Sequence, residues 1–243
     1  MQAVQERIAA AAQRSGRDPR QVTLVAVTKM LPLEVLQQAI AAGVVHLGES
    51  RLQEAEPKIS SLQAQRPDLT WHMIGHLQRN KAKVAISLFD LLHTVDSLRL
   101  AETLNRHYEQ RVAEITDAPE HSRLNVLLQV NVSGEATKEG FDLPGGVQNH
   151  AGLPRFLADV ERIVALPYLR VQGLMTIAPW QPDPEAARPV FRALRELRDH
   201  LAARWSQAEW SQLSMGMTDD FEVAIEEGAT LVRVGRAIFG ERA

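Results

Sequence analysis

The chain has 243 residues, of which 45% are hydrophobic and 23% charged, and its formal net charge at pH 7 is −3. This composition is typical of a globular protein, and the charge excludes the basic surface by which proteins bind nucleic acid or anionic membranes. The absence of cysteine excludes disulfides, thiolate nucleophiles and cysteine–zinc sites. Because neither a signal-peptide core nor a membrane-spanning apolar run occurs, we expect a cytoplasmic protein that does not enter a membrane.

Eight short apolar runs alternate along the chain with amphipathic stretches. The runs are Val22–Thr28, Val44–Gly48, Thr70–Ile74, Leu88–His93, Leu124–Val132, Leu169–Ile177, Gln212–Met215 and Thr230–Val234. Several are apolar at consecutive positions, which is typical of parallel strands covered on both faces. Eight β-then-α units predict one α/β domain over residues 1–243, a single (β/α)8 TIM barrel. A doubly wound open sheet is the alternative, because it shows the same alternation.

Three stretches between the runs have the apolar spacing of amphipathic helices, and we expect them to lie outside the barrel. Their apolar faces are Leu33, Leu36 and Ile40; Phe156, Val160, Ile163 and Val164; and Val190, Leu194, Leu197 and Leu201. Two segments lack this spacing. Ser133–Pro154 is rich in Gly, Pro and Asn and is predicted to be a long loop, and Thr116–Arg123 is a short polar connection.

In a (β/α)8 barrel the active site lies at the carboxyl ends of the strands. The residues where the apolar runs end, most of them polar or glycine, are therefore the candidates for function. They are Lys29, Glu49, Ser50, His72, Gly75, Gln129, Asn131, Ser133, Met175, Thr176, Ser214, Gly216, Arg233 and Gly235.

Lys29 follows a fully apolar strand and is expected inside the barrel mouth. Burial disfavours an ammonium ion and lowers its pKa, which leaves the neutral amine that attacks a carbonyl. Lys29 is therefore a candidate for Schiff-base formation. The alternative is a lysine that extends into solvent or pairs with Glu49. Position in the sequence alone does not decide between the two.

The segments after the last two strands indicate an anion site. Loops at this position, together with the start of a short helix, commonly bind phosphate in such barrels. Gly216 follows one strand and Gly235 the next, although glycines here also serve tight turns. His72 and His76 have a spacing that suits a metal only on a helix; the apolar strand and Gly75 argue against one, so no metal site is predicted.

Several longer motifs occur in an order that is familiar from one family. They are Trp71–Lys81 (WHMIGHLQRNK), Asn131–Phe141 (NVSGEATKEGF), Gln172–Ile177 (QGLMTI), Ser214–Phe221 (SMGMTDDF) and Leu231–Gly240 (LVRVGRAIFG). On these motifs the chain resembles, almost from end to end, the pyridoxal-phosphate homeostasis protein family, which is related to the barrel domain of bacterial alanine racemases. The resemblance implies pyridoxal 5′-phosphate as the cofactor.

The resemblance also implies roles for individual residues. Lys29 matches the lysine that forms the Schiff base, and Arg233 matches the arginine that faces the pyridine nitrogen in the related racemases. The phosphate site is matched by Ser214, Gly235 and the backbone of Arg236, with Gly216 and Thr218 nearby. Met175 and His72 match residues that line the cofactor. Two positions depart from the family: Ser50 replaces an asparagine, and Met30 replaces a threonine.

An arginine beside the pyridine nitrogen disfavours its protonation, because a guanidinium does not give up its proton, and an unprotonated pyridine is a poorer electron sink. The eighth predicted unit reaches nearly to Ala243, so we expect none of the added domain from which the related racemases draw a second acid or base. The resemblance therefore favours a monomeric carrier or buffer of the cofactor, with apo enzymes that use it as recipients, over a catalyst. A low-activity racemase and a cofactor-free Schiff-base aldolase are the alternatives. Lys138, in the long loop, is a hypothetical second amine near the mouth or else a solvated lysine.

Overall fold

The computed structural model describes residues 1–114 and 122–241. The strands are β1 (Thr23–Val27), β2 (His46–Glu49), β3 (Thr70–Met73), β4 (Leu91–Val95), β5 (Leu124–Asn131), β6 (Phe141–Asp142), β7 (Leu169–Met175), β8 (Gln212–Ser214) and β9 (Leu231–Val234). The helices are α1 (Gln2–Arg14), α2 (Leu33–Ala41), α3 (Leu52–Leu62), α4 (Ala82–Leu88), α5 (Leu98–Glu114), α6 (Leu153–Val164), α7 (Arg188–Arg204), α8 (Phe221–Glu226) and α9 (Arg236–Phe239). Within these described ranges, no helix is both long and apolar enough to cross a membrane.

The strands form a closed parallel barrel. Their order is β4-β3-β2-β1-β9-β8-β7-β5, and β4 also pairs with β5, which closes the sheet on itself. Every one of the eight predicted apolar runs overlaps a barrel strand, so the predicted (β/α)8 barrel is confirmed and the open-sheet alternative is wrong. The predicted helical faces lie on α2, α6 and α7.

The predicted long loop over Ser133–Pro154 is only partly irregular. Phe141 and Asp142 form β6, which pairs in parallel with Val130 and Asn131 at the end of β5. A 3-10 turn follows over Gly146–Gln148, and α6 already begins at Leu153. The prediction was partly wrong because a two-residue strand leaves no periodic signal in a sequence. The predicted polar connection Thr116–Arg123 lies almost wholly outside the described residues.

Two apolar clusters hold the barrel together. The larger one lies between the sheet and the helices, and a smaller one consists of Val25, Leu91, Leu127, Met175 and Leu231. The smaller cluster fills the barrel interior, because side chains along a strand alternate between its two faces. In β9, the same alternation turns Arg233 inward with Leu231, whereas Val232 and Val234 belong to the outer cluster.

Candidate functional site

Lys29 lies at the carboxyl end of β1 and lines two cavities at the barrel mouth. One cavity, of about 520 Å³, is also lined by Ser50, Gln129 and Lys138. The other, of about 400 Å³, is also lined by Thr218, Arg233, Gly235 and Arg236. Because Lys29 belongs to both linings, it lies between the Ser50 side and the Arg233 side of the mouth.

The backbone on both sides of Lys29 is held by buried or acidic side chains. The Thr28 hydroxyl donates to Glu49 Oε1 at 2.7 Å, and Lys58 Nζ donates to the Thr28 carbonyl at 2.9 Å. On the other side, the Met30 amide donates to Glu54 Oε2 at 2.9 Å. Met30 has a φ of 63° and is 63% exposed, a left-handed conformation that is costly for a residue with a Cβ atom. These bonds fix the position from which the Lys29 side chain starts.

A buried ion pair lies directly behind this backbone. Lys58 Nζ donates to Glu49 Oε1 at 2.8 Å, and the Glu49 side chain has no exposed surface. Its second oxygen, Oε2, is a buried atom without a hydrogen-bond partner. Glu49, which the sequence left as a possible partner of Lys29, is therefore paired with Lys58, a residue that sequence reasoning missed.

Gly216 makes the turn that leads from β8 to α8. Its φ is +91°, and its carbonyl accepts a hydrogen bond from the Arg233 amide at 3.0 Å. A Cβ atom at this position would lie 2.6 Å from the Ala224 Cβ and 2.9 Å from the Phe221 Cα. The interpretation of Gly216 as a turn glycine therefore has a physical basis, since no side chain fits there.

We expect Gly216→Ala to destabilise the protein more than Gly228→Ala. Both glycines have a positive φ, but the nearest atom to a Cβ at Gly228 is Arg195 Cδ at 3.4 Å. The backbone strain is therefore shared, and only Gly216 adds a steric clash, which costs about 1 to 3 kcal/mol. Urea unfolding of both variants measures the difference. Equal losses would show that the turn has room for a methyl group.

Arg233 and Ser214 meet in the barrel interior. Arg233 donates to the Ser214 Oγ at 2.5 Å and to the Thr176 carbonyl at 2.9 Å. Burial lowers the pKa of Arg233 to about 10, although the Asp220 carboxylate opposes the shift. Arg233 thus stays protonated near neutral pH and can only donate hydrogen bonds. Since it also lines the mouth, it connects the cavity to the interior.

Three histidines continue from Ser214 across the interior. His93 Nδ1 lies 2.8 Å from the Ser214 Oγ, and His93 Nε2 lies 2.9 Å from His72 Nδ1. His72 Nε2 in turn lies 3.0 Å from His46 Nδ1. We call His46, His72 and His93 the histidine row. They lie on the neighbouring strands β2, β3 and β4.

Burial keeps the two inner rings neutral. It lowers the pKa of His72 to about 3, with a smaller contribution from His46. It also lowers the pKa of His93 well below its ordinary value, and the charges of His72 and Arg233 act in the same direction. The pKa of half-buried His46 is lowered by burial as well, against the attraction of Asp90.

The histidine row predicts a loss of stability in mild acid. As the pH falls below about 6.5, the unfolded chain takes up protons on these rings and the folded chain does not, so the unfolded state gains stability. Each inner histidine contributes roughly 1 kcal/mol per pH unit in this range, down toward pH 3 for His72. We expect His72→Gln to reduce the slope of unfolding free energy against pH by about this amount. His200→Gln, an exposed control on α7, should leave the slope unchanged, and equal slopes in both variants would contradict the account.

The predicted site residues thus occupy three places, of which the first is the turn after β8 that contains Gly216. Lys29, Ser50, Thr218, Arg233, Gly235 and Arg236 line the mouth cavities. Ser214, His72 and Met175 are buried, and Met175 packs in the interior apolar cluster. Sequence reasoning missed His46, His93 and Lys58. A polar residue inside an apolar strand was the available signal for the two histidines.

Comparisons with known proteins agree with this fold. The family model described as the alanine racemase N-terminal domain matches residues 1–243. Pyridoxal phosphate homeostasis proteins from Aquifex aeolicus and Pseudomonas aeruginosa are 41% and 44% identical to the chain. These matches cover 98% of this chain and 95% and 93% of the relatives.

Solved structures give the same result. PipY of Synechococcus elongatus without its ligand is 35% identical, with a TM-score of 0.80 over 97% of this chain and 99% of PipY. PipY with pyridoxal phosphate bound is also 35% identical and gives 0.78 over 98% of this chain and all of PipY, 100%. Alanine racemase of Clostridium difficile, at 13% identity and a TM-score of 0.67, shares the fold over 98% of this chain and 59% of its own length. The chain therefore belongs to the alanine racemase N-terminal domain family and, within it, to the pyridoxal phosphate homeostasis proteins.

Proposed function

We propose that this protein binds pyridoxal 5′-phosphate as a Schiff base on Lys29 and acts as a carrier or buffer of the cofactor. The observation that carries the proposal is the position of Lys29, whose side chain lines both mouth cavities. When bound, the cofactor supplies an aldehyde that condenses with an amine. The PipY structure with pyridoxal phosphate bound, on the same fold, supports this ligand.

The residues around the mouth suit the polar parts of such a ligand. Thr218, Gly235 and Arg236 line the cavity on the Arg233 side, where a hydroxyl, a helix start and a guanidinium can donate to a phosphate. Arg236 also contacts the Asp219 carboxylate, which fixes its direction. Ser50 lies on the other side of Lys29. We assign phosphate binding to the Thr218–Arg236 side together with Ser214 and its neighbour Gly216, with Met175 and His72 supporting the ring from the interior.

Arg233 favours a carrier over a racemase. Its guanidinium is held by Ser214 and the Thr176 carbonyl and stays protonated near neutral pH. A donor at this place disfavours a proton on the pyridine nitrogen, and the ring then withdraws electrons weakly. The protein would hold the cofactor with little turnover, and release it to apo enzymes that need it.

Borohydride reduction followed by mass spectrometry tests the proposal. We expect one pyridoxyl group per chain, on the peptide that contains Lys29, and an unmodified protein would contradict it. Chiral chromatography of amino acids after incubation tests the racemase alternative, for which turnover is the deciding result. A colourless protein that forms an adduct only with an aldehyde substrate would favour the aldolase.

We also propose that the protein is a monomer and lies in the cytoplasm. Light scattering tests the oligomeric state, and cell fractionation tests the location.

We propose that Lys138 receives the aldehyde during release. It lines the same cavity as Lys29, and its Nζ lies 3.6 Å from Glu135 Oε2. We expect Lys138→Ala to bind the cofactor normally and to slow its transfer to an apo enzyme several-fold, because a second amine near the mouth shortens the escape path. Transfer at the rate of the unmodified protein would leave Lys138 as a surface lysine.

A further inference from the structure

The histidine row connects the two ends of the barrel. His46 is the first residue of β2 and lines a separate cavity of about 390 Å³ with Val22, Thr23 and Val44, at the amino ends of the strands. At the other end of the row, Ser214 is bonded to Arg233, which lines the mouth. His72, His93, Ser214 and Arg233 are each at most 4% exposed. The only charged groups acting on the row are Asp90, beside His46, and Arg233, beside His93, among the residues that the structure describes.

The contacts leave the row two fully hydrogen-bonded arrangements. A neutral imidazole has one N–H and one acceptor nitrogen, and each contact in the row needs one proton. In the first arrangement the Ser214 hydroxyl donates to His93, and all three rings carry their proton on Nε2. In the second, all three carry it on Nδ1, and His93 donates to Ser214. Ser214 then accepts from both His93 and Arg233, so its own proton points to neither of them.

We infer that His46, His72 and His93 are positioning residues for the Ser214 hydroxyl, and that they direct its proton to a hydrogen-bond acceptor of the ligand. This inference rests on the proposed function. The acceptor is an atom without a proton of its own, either a phosphate oxygen or the unprotonated pyridine nitrogen. With that acceptor bound, all three rings carry their proton on Nδ1, and the His46 Nε2 at the far end of the barrel carries no proton.

The change between the arrangements is balanced. Ser214 gives its proton to His93 Nδ1, His93 passes its Nε2 proton to His72, and His72 passes its own to His46. His46 releases its Nε2 proton to water, and Ser214 regains one proton from the mouth. Every ring stays neutral, so no buried charge is left in the interior.

Nitrogen-15 NMR of the histidine rings tests the inference, because two-bond couplings to the ring protons distinguish the two tautomers. The full-length protein is compared alone and with saturating inorganic phosphate, pyridoxal or pyridoxal 5′-phosphate. We expect all three rings to be Nδ1-protonated with pyridoxal 5′-phosphate bound. The same pattern with phosphate alone identifies a phosphate oxygen as the acceptor. The same pattern with pyridoxal alone identifies the pyridine nitrogen as the acceptor. Mixed tautomers, Nε2-protonated rings or an imidazolium among the three in the bound protein would overturn the inference.

Two variants separate positioning from folding. His93→Gln retains a group that can donate to Ser214, whereas His93→Leu does not. We expect the leucine variant to bind pyridoxal 5′-phosphate about fivefold more weakly and the glutamine variant to restore most of the affinity. Equal losses in two variants that fold normally by circular dichroism would contradict a positioning role. If the unmodified protein does not turn yellow with the cofactor, the proposed function fails. The inference then fails with it, whereas a protein that turns yellow but lacks uniform Nδ1 tautomers overturns the inference alone.

Discussion

Replacing Lys29 by alanine is expected to abolish the pyridoxyl adduct and the yellow absorbance of the protein mixed with pyridoxal 5′-phosphate. Lys29 lines both mouth cavities, and the start of its side chain is fixed by the bonds of Thr28 and Met30. A Schiff base needs this amine, and no neighbouring backbone group replaces it. The visible absorbance spectrum measures the loss of the yellow colour, and mass spectrometry after borohydride reduction measures the loss of the adduct.

Two controls distinguish the covalent bond from electrostatic attraction. Lys29→Arg retains the positive charge and most of the length, but a guanidinium does not condense with the aldehyde at neutral pH. Lys138→Ala removes the other lysine of the same cavity and should retain the adduct. An adduct of normal yield in Lys29→Ala, or an adduct found on Lys138 in place of Lys29 in the unmodified protein, would remove Lys29 from its proposed role.

Replacing Lys58 by methionine is expected to destabilise the protein by about 3 to 5 kcal/mol, because it leaves a buried carboxylate without its cation. Glu49 has no exposed side-chain surface, and its Oε2 has no hydrogen-bond partner. The loss would also free the Thr28 carbonyl, which Lys58 holds, so we expect weaker cofactor binding at the adjacent Lys29. Urea unfolding measures the stability.

The double variant Glu49→Gln/Lys58→Met provides the matched test. Removing both charges of a buried pair is often nearly neutral for stability, so the double variant should recover most of the loss. Lys83→Met, an exposed lysine on α4, should change the stability by no more than about 0.5 kcal/mol. A loss below about 1 kcal/mol in Lys58→Met would mean that water or a shift of Thr28 compensates Glu49.

The strands were predictable because their signal is local. Leu124–Val132 is an apolar run in the sequence, and β5 occupies Leu124–Asn131 of it. The same reasoning could not find β6, since Phe141 and Asp142 become a strand only through their pairing with Val130 and Asn131. A strand that depends on its partner has no periodicity of its own to detect.

The mouth residues were predictable for a related reason. In a parallel barrel each strand delivers the residue at its carboxyl end to the same face, so Lys29, Ser50 and Arg233 could be assigned to one site without knowing the neighbours of each strand. The partner of Glu49 was not predictable in this way. Lys58 lies on α3, and the sequence does not distinguish a helical lysine that points inward from one that points into solvent.

By itself, the sequence determined the number and order of the βα units and that Lys29 follows the first strand, because apolar periodicity and strand ends are properties of short segments. Its longer motifs indicated the family. Only the tertiary structure decided the histidine row. His93 and Ser214 are 121 positions apart and lie within 2.8 Å because closure of the barrel through β4 and β5 brings distant strands to a shared interior. Which polar side chains meet there depends on strand register and barrel closure, and both are set by the packing of the whole chain.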